Sequence, residues 1–214
     1  ILHDAFSHAA SNRLIRRIKM EKIKVDNLSF SYPSSDKLAL DSVSLSIPES
    51  EFVVLCGKSG CGKSTLLRHL KKSMNPYGNK FGSVCFDGEE IEEMSDRDAA
   101  SKIGYVQQNP DNQLVTDKVW HELAFGLESL GYSNSVIKRR VAEMASYFGI
   151  QTWFRKSVSE LSGGQKQLLN LASVMAMQPE VLILDEPASQ LDPIAARDFL
   201  STVHRRSEEH TSEL

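Results

Sequence analysis

A glycine-rich segment at residues 57–65 constrains the fold of this chain more than any other feature. It matches the pattern G-x-x-x-x-G-K-[ST] and directly follows an apolar run at residues 51–56. That run predicts a short buried strand, and the residues after the glycines place Leu66, Leu67 and Leu70 on one helical face. A strand, a glycine-rich loop and a helix in this order predict a loop whose backbone N–H groups surround phosphate oxygens.

The same pattern predicts a site for a nucleoside triphosphate with Mg²⁺. Lys63 is expected to reach the β- and γ-phosphates, and the hydroxyl of Ser64 is expected to bind the metal ion. The other loop residues predicted to contact the nucleotide are Gly57, Lys58, Ser59, Gly60, Cys61, Gly62 and Thr65. Cys61 is either a small residue that fills space in the loop or a thiol within reach of the ligand. The alternative for the whole segment is a chance glycine-rich turn, and the flanking strand and helix argue against it.

Two adjacent carboxylates follow a second apolar run. Residues 181–184 (VLIL) predict a buried strand, and Asp185 and Glu186 come directly after it. Both side chains would lie at the C-terminal edge of the sheet, beside the phosphate loop. There Asp185 can hold Mg²⁺, and Glu186 can accept a proton from an attacking water molecule. The alternative is a solvated acidic turn.

A second glycine pair occurs in residues 161–165 (LSGGQ), at the start of another predicted helix. Ser162 can cap that helix, and Gly163 and Gly164 leave its N–H groups unobstructed for an anion. Gln165 belongs to the same predicted set of nucleotide contacts. The alternative is an ordinary helix N-terminus.

The wider pattern predicts an α/β fold. Alternating apolar and polar residues at 22–32 and 39–48 predict antiparallel strands, and later strands are predicted at 81–87 and 102–106. Strands that alternate with helices favour a mainly parallel sheet covered by helices. We therefore predict a P-loop NTPase core with an N-terminal antiparallel β-subdomain and an inserted helical subdomain at about 111–165.

Helical spacing is clearest in the second half of the chain. Ile137, Val141, Met144 and Phe148 fall at i, i+4, i+7 and i+11, and residues 165–177 repeat this kind of spacing. Both segments predict amphipathic helices.

Both ends of the chain look different from its middle. Residues 1–19 begin without Met and show only a weak basic helical pattern, so we expect them to precede the domain. Residues 205–214 lack apolar periodicity and are predicted to be a polar tail. The nucleotide-binding domain is expected to span 20–204.

Composition excludes several classes of protein. With 25 Lys and Arg against 28 Asp and Glu, the net charge of −3 gives no overall attraction to nucleic acid. No apolar run approaches the roughly 18 residues of a membrane-spanning helix, and the N-terminal segment lacks a signal-peptide core. Any link to a membrane is therefore expected to run through a partner. The cysteines, Cys56, Cys61 and Cys85, show no paired metal spacing and suit a reducing compartment.

The order of these motifs resembles that of the ATP-binding subunits of ABC transporters. The phosphate loop precedes residues 105–110 (YVQQNP), then 161–165 (LSGGQ) and 182–187 (LILDEP). The segments 109–113 (NPDNQ) and 123–128 (LAFGLE) are similar to those of the energy-coupling-factor and cobalt-type importer ATPases, which bacteria and archaea use for vitamins and metal ions.

The resemblance implies roles for further residues. Tyr32 matches the aromatic residue on which adenine stacks, with Phe30 as the alternative. Gln108 matches the residue that contacts Mg²⁺ and senses the γ-phosphate, although Gln107 beside it leaves the register open by one position. Residues 162–164 would bind the γ-phosphate held by the opposite subunit.

The implied function is to bind and hydrolyse ATP and thereby power import of a vitamin or metal ion through a separate membrane partner. Glu186, Lys63 and Gln108 are the implied catalytic residues, and Asp192 matches an acidic residue that couples the two sites of a dimer. Two ABC ATPase domains would form a homodimer or heterodimer, between two chains or within one polypeptide. They would bind integral membrane subunits at the cytoplasmic face of the cell membrane.

The alternative is a soluble ABC ATPase that acts on DNA or the ribosome. The chain lacks a coiled-coil insertion and a basic stripe, so we expect no nucleic-acid partner. The family also places a catalytic His after a further strand beyond Glu186, and the printed sequence ends at Leu214 without that strand. We therefore expect the C-terminal part of the fold to be missing and turnover to be impaired, with His210 as a tail residue.

Overall fold

The structure is a computed structural model, and it describes residues 21–33, 35, 37–189, 191, 196–197, 199 and 201. The expectations for residues 1–19, for the tail at 205–214 and for Asp192 lie outside these described residues.

A four-stranded antiparallel sheet forms the first part of the fold. Its strands are β1 (Glu21–Ser31), β2 (Leu40–Pro48), β3 (Asn79–Phe86) and β4 (Glu89–Glu90), in the spatial order β2-β1-β3-β4. The strands predicted at 22–32 and 39–48 are confirmed.

A bulge in β1 changes which residues face the core. The register with β2 shifts between Val25 and Leu28, and both of these side chains are buried. Opposite the bulge, Gly82 has a φ of +84°, and a Cβ atom there would lie 2.4 Å from the carbonyl oxygen of Asn27. Only glycine fits this close approach of two backbones.

The predicted strand at residues 51–56 is wrong. This segment carries no regular secondary structure, and Phe52, Val53 and Val54 are 60%, 49% and 66% exposed. A strand needs a neighbour to pair its backbone groups, and no strand among the described residues pairs with this segment. Apolar composition alone therefore predicted an element that the described contacts do not support.

The predicted helix after the phosphate loop is present and ends at His69. Helix α1 (Lys63–His69) is followed by a 3-10 turn at Lys72–Met74. Gly62 caps α1 with a φ of +96°, and a Cβ atom there would lie 2.5 Å from the carbonyl oxygen of Ala39. Glycine is thus required where the loop enters the helix.

The parallel part of the fold brings two strand ends together. Helix α2 (Asp96–Lys102) leads into β5 (Ile103–Val106), which pairs in parallel with β6 (Val181–Leu184). Because Val106 is opposite Leu184, the residues after both strands emerge at the same edge.

Three longer helices pack as a second layer: α3 (Val119–Ser129), α4 (Asn134–Tyr147) and α5 (Gly163–Ala176). Short 3-10 turns lie between them and before α3, at Pro110–Asn112, Ile150–Trp153 and Val158–Glu160. All four residues of the predicted stripe on α4 are at most 8% exposed, which confirms that pattern: Ile137, Val141, Met144 and Phe148.

Strand β5 separates two hydrophobic cores. Ile103 and Tyr105 belong to the core beneath the antiparallel sheet, whereas Val106 belongs to the core formed with the three longer helices. A strand buried on both faces is typical of parallel sheets. Among the described residues, no helix has the length and apolar character needed to cross a bilayer.

Candidate nucleotide-binding site

The phosphate loop folds around the Lys63 side chain. Its ammonium donates hydrogen bonds to the carbonyl oxygens of Gly57 and Lys58, at 3.0 and 3.2 Å. The exposed Cys61 packs against the start of the loop, since its sulfur would lie 2.7 Å from a Cβ atom built on Gly57. The Lys63 ammonium therefore links the end of the loop to its start.

Asp185 is held through both of its carboxylate oxygens. Ser64 donates to Oδ1 at 2.7 Å, and the hydroxyl of Tyr105 donates to Oδ2 at 3.0 Å. Burial, together with the Asp185 charge, raises the pKa of Tyr105 well above its ordinary value. The phenol therefore keeps its proton at neutral pH and remains a hydrogen-bond donor.

Glu186 lies between two other predicted site residues. Its Oε1 is 3.7 Å from the ammonium of Lys63, and its Oε2 accepts a 3.2 Å hydrogen bond from the side-chain amide of Gln108. Glu186 also has a φ of +45°, a left-handed conformation that is uncommon outside glycine. Sequence positions far apart thus converge at the edge formed by β5 and β6.

The two adjacent glutamines, Gln107 and Gln108, make different contacts. The Gln107 N–H donates to the Gln113 side chain, and the Gln107 carbonyl accepts from Gln167. Gln108 is exposed and reaches Glu186. Gln108 is therefore the glutamine whose side chain contacts Glu186, whereas both glutamines line the polar pocket beside Ser64 and Asp185.

The donor set fits Mg²⁺. Ser64 supplies a hydroxyl oxygen, Asp185 a carboxylate and Gln108 an amide oxygen, and oxygen ligands of these kinds suit this ion. Within the described part of the chain there is no cluster of three or more His, Cys, Asp or Glu side chains that could form a cage for a metal. Sites that hold Mg²⁺ through one or two carboxylates and substrate phosphates need no such cage.

The two aromatic candidates for base stacking differ in accessibility. Phe30 is fully buried, and its ring meets the ring of Tyr32 edge-on at 4.9 Å. Tyr32 is half-buried, and its hydroxyl lies 3.1 Å from that of Thr65 in the phosphate loop. Only Tyr32 has surface available to a ligand.

The second glycine motif caps α5, as predicted. Ser162 accepts a hydrogen bond from the Gln165 N–H, and the Gln165 side chain accepts one from the Ser162 N–H. Ser162 and Gly163 are exposed, and nothing lies within 4 Å of a Cβ atom built on Gly163. Within the described residues, no hydrogen bond joins Ser162 or Gln165 to the phosphate loop of the same chain.

Sequence reasoning missed Tyr105, Gln113 and Gln167, which hold the site residues in place. Tyr105 lies in a short buried strand, where an aromatic residue is typical of the core. Its polar contact depends on a residue 80 positions away. The local pattern therefore contained no signal for it.

A lysine enclosed by a glycine-rich loop, with acidic residues emerging beside it from a parallel strand, defines a P-loop nucleotide-binding domain. The family model described as ABC transporter matches residues 40–189. The chain therefore belongs to the ABC transporter family.

Two relatives show which members of this family the chain is similar to. The chain is 50% identical over 186 residues to a putative ABC transporter ATP-binding protein of Bacillus thuringiensis subsp. konkukian, covering 87% of this chain and 34% of that protein. It is 39% identical over 187 residues to the energy-coupling factor transporter ATP-binding protein EcfA1 of Latilactobacillus sakei subsp. sakei, covering 87% of this chain and 66% of the relative. The chain thus spans about a third of the length of the first relative.

Two solved structures share the fold. CbiO1 from Clostridium perfringens, part of the ABC transporter complex CbiONQ, superposes with a TM-score of 0.76 at 31% identity, covering 88% of this chain and 74% of that one. The ATP-binding cassette MJ0796, solved as a dimer in a post-hydrolysis state with ADP and Pi, gives a TM-score of 0.75 at 25% identity, covering 88% and 84%. The P-loop fold and the resemblance to cobalt-type importer ATPases are confirmed.

Proposed function

We propose that this chain binds MgATP at residues 57–65 and hydrolyses it to power import of a vitamin or metal ion through a separate membrane partner. The observation that carries the proposal is the convergence of Lys63, Asp185, Glu186 and Gln108 at one edge of the parallel strands. This arrangement offers a cation to phosphate oxygens and places a carboxylate beside them.

Each site residue would have its own role in hydrolysis. Lys63 would bind the β- and γ-phosphate oxygens, and Tyr32 would stack on adenine. Glu186 would accept a proton as the water oxygen attacks the γ-phosphorus, while the bond to the β–γ bridging oxygen breaks and ADP and phosphate leave. Mg²⁺, when bound, would neutralise charge on the phosphate oxygens, and Ser64, Asp185 and Gln108 would hold it.

A second ABC ATPase domain would complete the site. Ser162 and Gly163 are exposed at the N-terminus of α5, where free N–H groups favour an anion. We propose that this end binds the γ-phosphate held by an opposite domain. That domain would be a second copy of this one or another ABC ATPase domain, in the same polypeptide or in a separate one. The dimeric state of the similar cassette MJ0796 supports this arrangement.

The membrane partner is proposed from the names of the similar proteins. One relative is an energy-coupling factor transporter subunit, and one similar structure is part of a transporter complex. These names favour transport over a soluble ATPase acting on DNA or the ribosome. Peripheral association with the cytoplasmic face of the membrane is part of the same proposal.

The test uses the full natural polypeptide that contains this sequence. We expect MgATP-dependent release of phosphate that falls by about 10²- to 10⁴-fold in Glu186→Gln, with nucleotide binding retained. We also expect co-purification with a hydrophobic integral membrane subunit from detergent extracts. Absence of nucleotide binding would contradict the enzymatic proposal, and isolation with nucleic acid or ribosomes instead of membrane subunits would contradict the role in transport.

A further inference from the structure

The hydroxyl of Tyr105 is aimed at a predicted metal ligand. Tyr105 is opposite Ile183 in the parallel pair, so Asp185, two positions further along, projects on the same face as Tyr105. The two side chains meet at 3.0 Å, and both residues are buried, at 6% and 5% exposure. Both residues also line one small polar pocket of about 100 Å³, together with Ser64 and Gln108.

The backbone and the side chain of Asp185 are fixed by different groups. Its N–H donates to the carbonyl oxygen of Val106 at 3.0 Å, which continues the β5–β6 ladder. That bond does not restrict rotation of the carboxylate plane, a broad and roughly two-fold torsion. The two hydroxyl donors, Ser64 and Tyr105, bond to opposite oxygens of the carboxylate and therefore set its rotation.

We propose that Tyr105 is a positioning residue whose hydroxyl orients the Asp185 carboxylate for Mg²⁺. The inference rests on the proposed MgATP function. Ser64 is itself a predicted ligand of the ion and would leave Asp185 as it turns toward the metal. Tyr105 is then the donor that remains on the carboxylate when the ion is present. Outer-shell donors of this kind typically change metal affinity or activity by about 10- to 100-fold when they are removed.

The decisive variant is Tyr105→Phe, which keeps the ring and removes only the hydroxyl. We expect the Mg²⁺ concentration that half-saturates Mg²⁺-dependent binding of a fluorescent ATP analogue to rise about 10-fold. Binding of the analogue in EDTA should change by less than about two-fold, because no phosphate contact is altered. Tyr132→Phe, which removes the hydroxyl of a phenol ring that packs under Arg140 in the helical layer, serves as the matched control.

A double variant tests whether Tyr105 acts through Asp185. In an Asp185→Asn background, Tyr105→Phe should cause no further shift in Mg²⁺ dependence. An unchanged Mg²⁺ dependence in Tyr105→Phe would overturn the proposal, as would an equal loss of binding with and without Mg²⁺, which indicates a purely structural role. If the unmodified protein shows no Mg²⁺-dependent nucleotide binding, the proposed function itself fails.

Discussion

The ammonium of Lys63 lies 3.7 Å from Oε1 of Glu186. The second oxygen of that carboxylate accepts a hydrogen bond from Gln108. Glu186 therefore bridges the two side chains that are proposed to bind and to sense the γ-phosphate. An arriving phosphate group would have to compete with this carboxylate for Lys63, so we expect the charge of Glu186 to affect the proposed nucleotide binding as well as the proposed hydrolysis.

Glu186→Gln is expected to separate these two effects. Without the negative charge, ATP binding in EDTA should tighten by about two- to five-fold, the range expected for loss of a partly exposed ion pair. Hydrolysis should fall by about 10²- to 10⁴-fold, because the general base is lost. Fluorescent-nucleotide titration and a phosphate-release assay measure the two quantities. Glu49→Gln changes an exposed residue directly after β2 and controls for net charge. Equal ATP binding by the two variants would contradict competition between Glu186 and phosphate for Lys63.

Lys63→Ala should weaken ATP binding by about ten-fold or more. The variant removes a charge-assisted contact to the phosphates, and such contacts contribute about 1.5–3 kcal/mol. The loop carbonyls that accept hydrogen bonds from this ammonium are exposed and can bond to water in the variant. The thermal unfolding temperature should therefore change little. Lys138→Ala, on the exposed face of α4, is the control for charge. Wild-type affinity in Lys63→Ala would contradict the phosphate-binding role of this loop.

Gly163→Ala distinguishes folding from assembly. A Cβ atom at this position meets nothing within 4 Å in the isolated chain, so the variant should fold normally and bind ATP as before. If this end of α5 binds the γ-phosphate of an opposite domain, the added methyl group should instead weaken the nucleotide-dependent dimer. Light scattering with MgATP in a Glu186→Gln background measures the dimer. Undiminished dimerisation would argue against a shared phosphate site at Gly163.

Local periodicity predicted the helices well, because one buried face repeats every three to four residues. The stripe on α4 is buried as expected, and Ser162 caps α5 as its position in the sequence indicates. The segment at 51–56 shows the limit of the same reasoning. A strand depends on a partner elsewhere in the chain, and apolar composition carries no information about whether that partner is adjacent.

The sequence predicts the parts of the candidate site that are contiguous motifs. It does not predict contacts between residues that are far apart in the chain. The phosphate loop and the acidic pair are readable because their residues are neighbours in sequence. The bond between Tyr105 and Asp185 joins residues 80 positions apart through the register of two strands. The different contacts of Gln107 and Gln108 likewise could not be predicted from the sequence.

Lys71 shows how burial adds a pH-dependent contribution to stability. The residue is 8% exposed, and its ammonium donates to the carbonyl oxygens of Ala99, Ala100 and Ile103 at the end of α2. Desolvation by burial lowers the pKa of Lys71 from 10.5 to about 8. The unfolded chain therefore holds this proton more tightly than the folded protein does.

The sign of the resulting pH dependence follows from linkage. Between about pH 8 and 10.5 the unfolded state binds more protons at Lys71, so the free energy of unfolding contributed by this group rises with pH, by up to about 1.4 kcal/mol per pH unit. Urea unfolding at pH 7, 8, 9 and 10 gives the free energy of unfolding of the wild type and of Lys71→Met. The difference between the two free energies measures this contribution, because the effects of other titrating groups cancel. The difference should be flat below pH 8 and should then increase in favour of the wild type.

The control variant is Lys72→Met, which changes the next residue, a lysine paired with the exposed Asp96. Its free energy of unfolding should follow that of the wild type with a constant offset at all four pH values. A difference for Lys71→Met that stays constant up to pH 10 would show that the three carbonyl acceptors hold the pKa of Lys71 near its ordinary value.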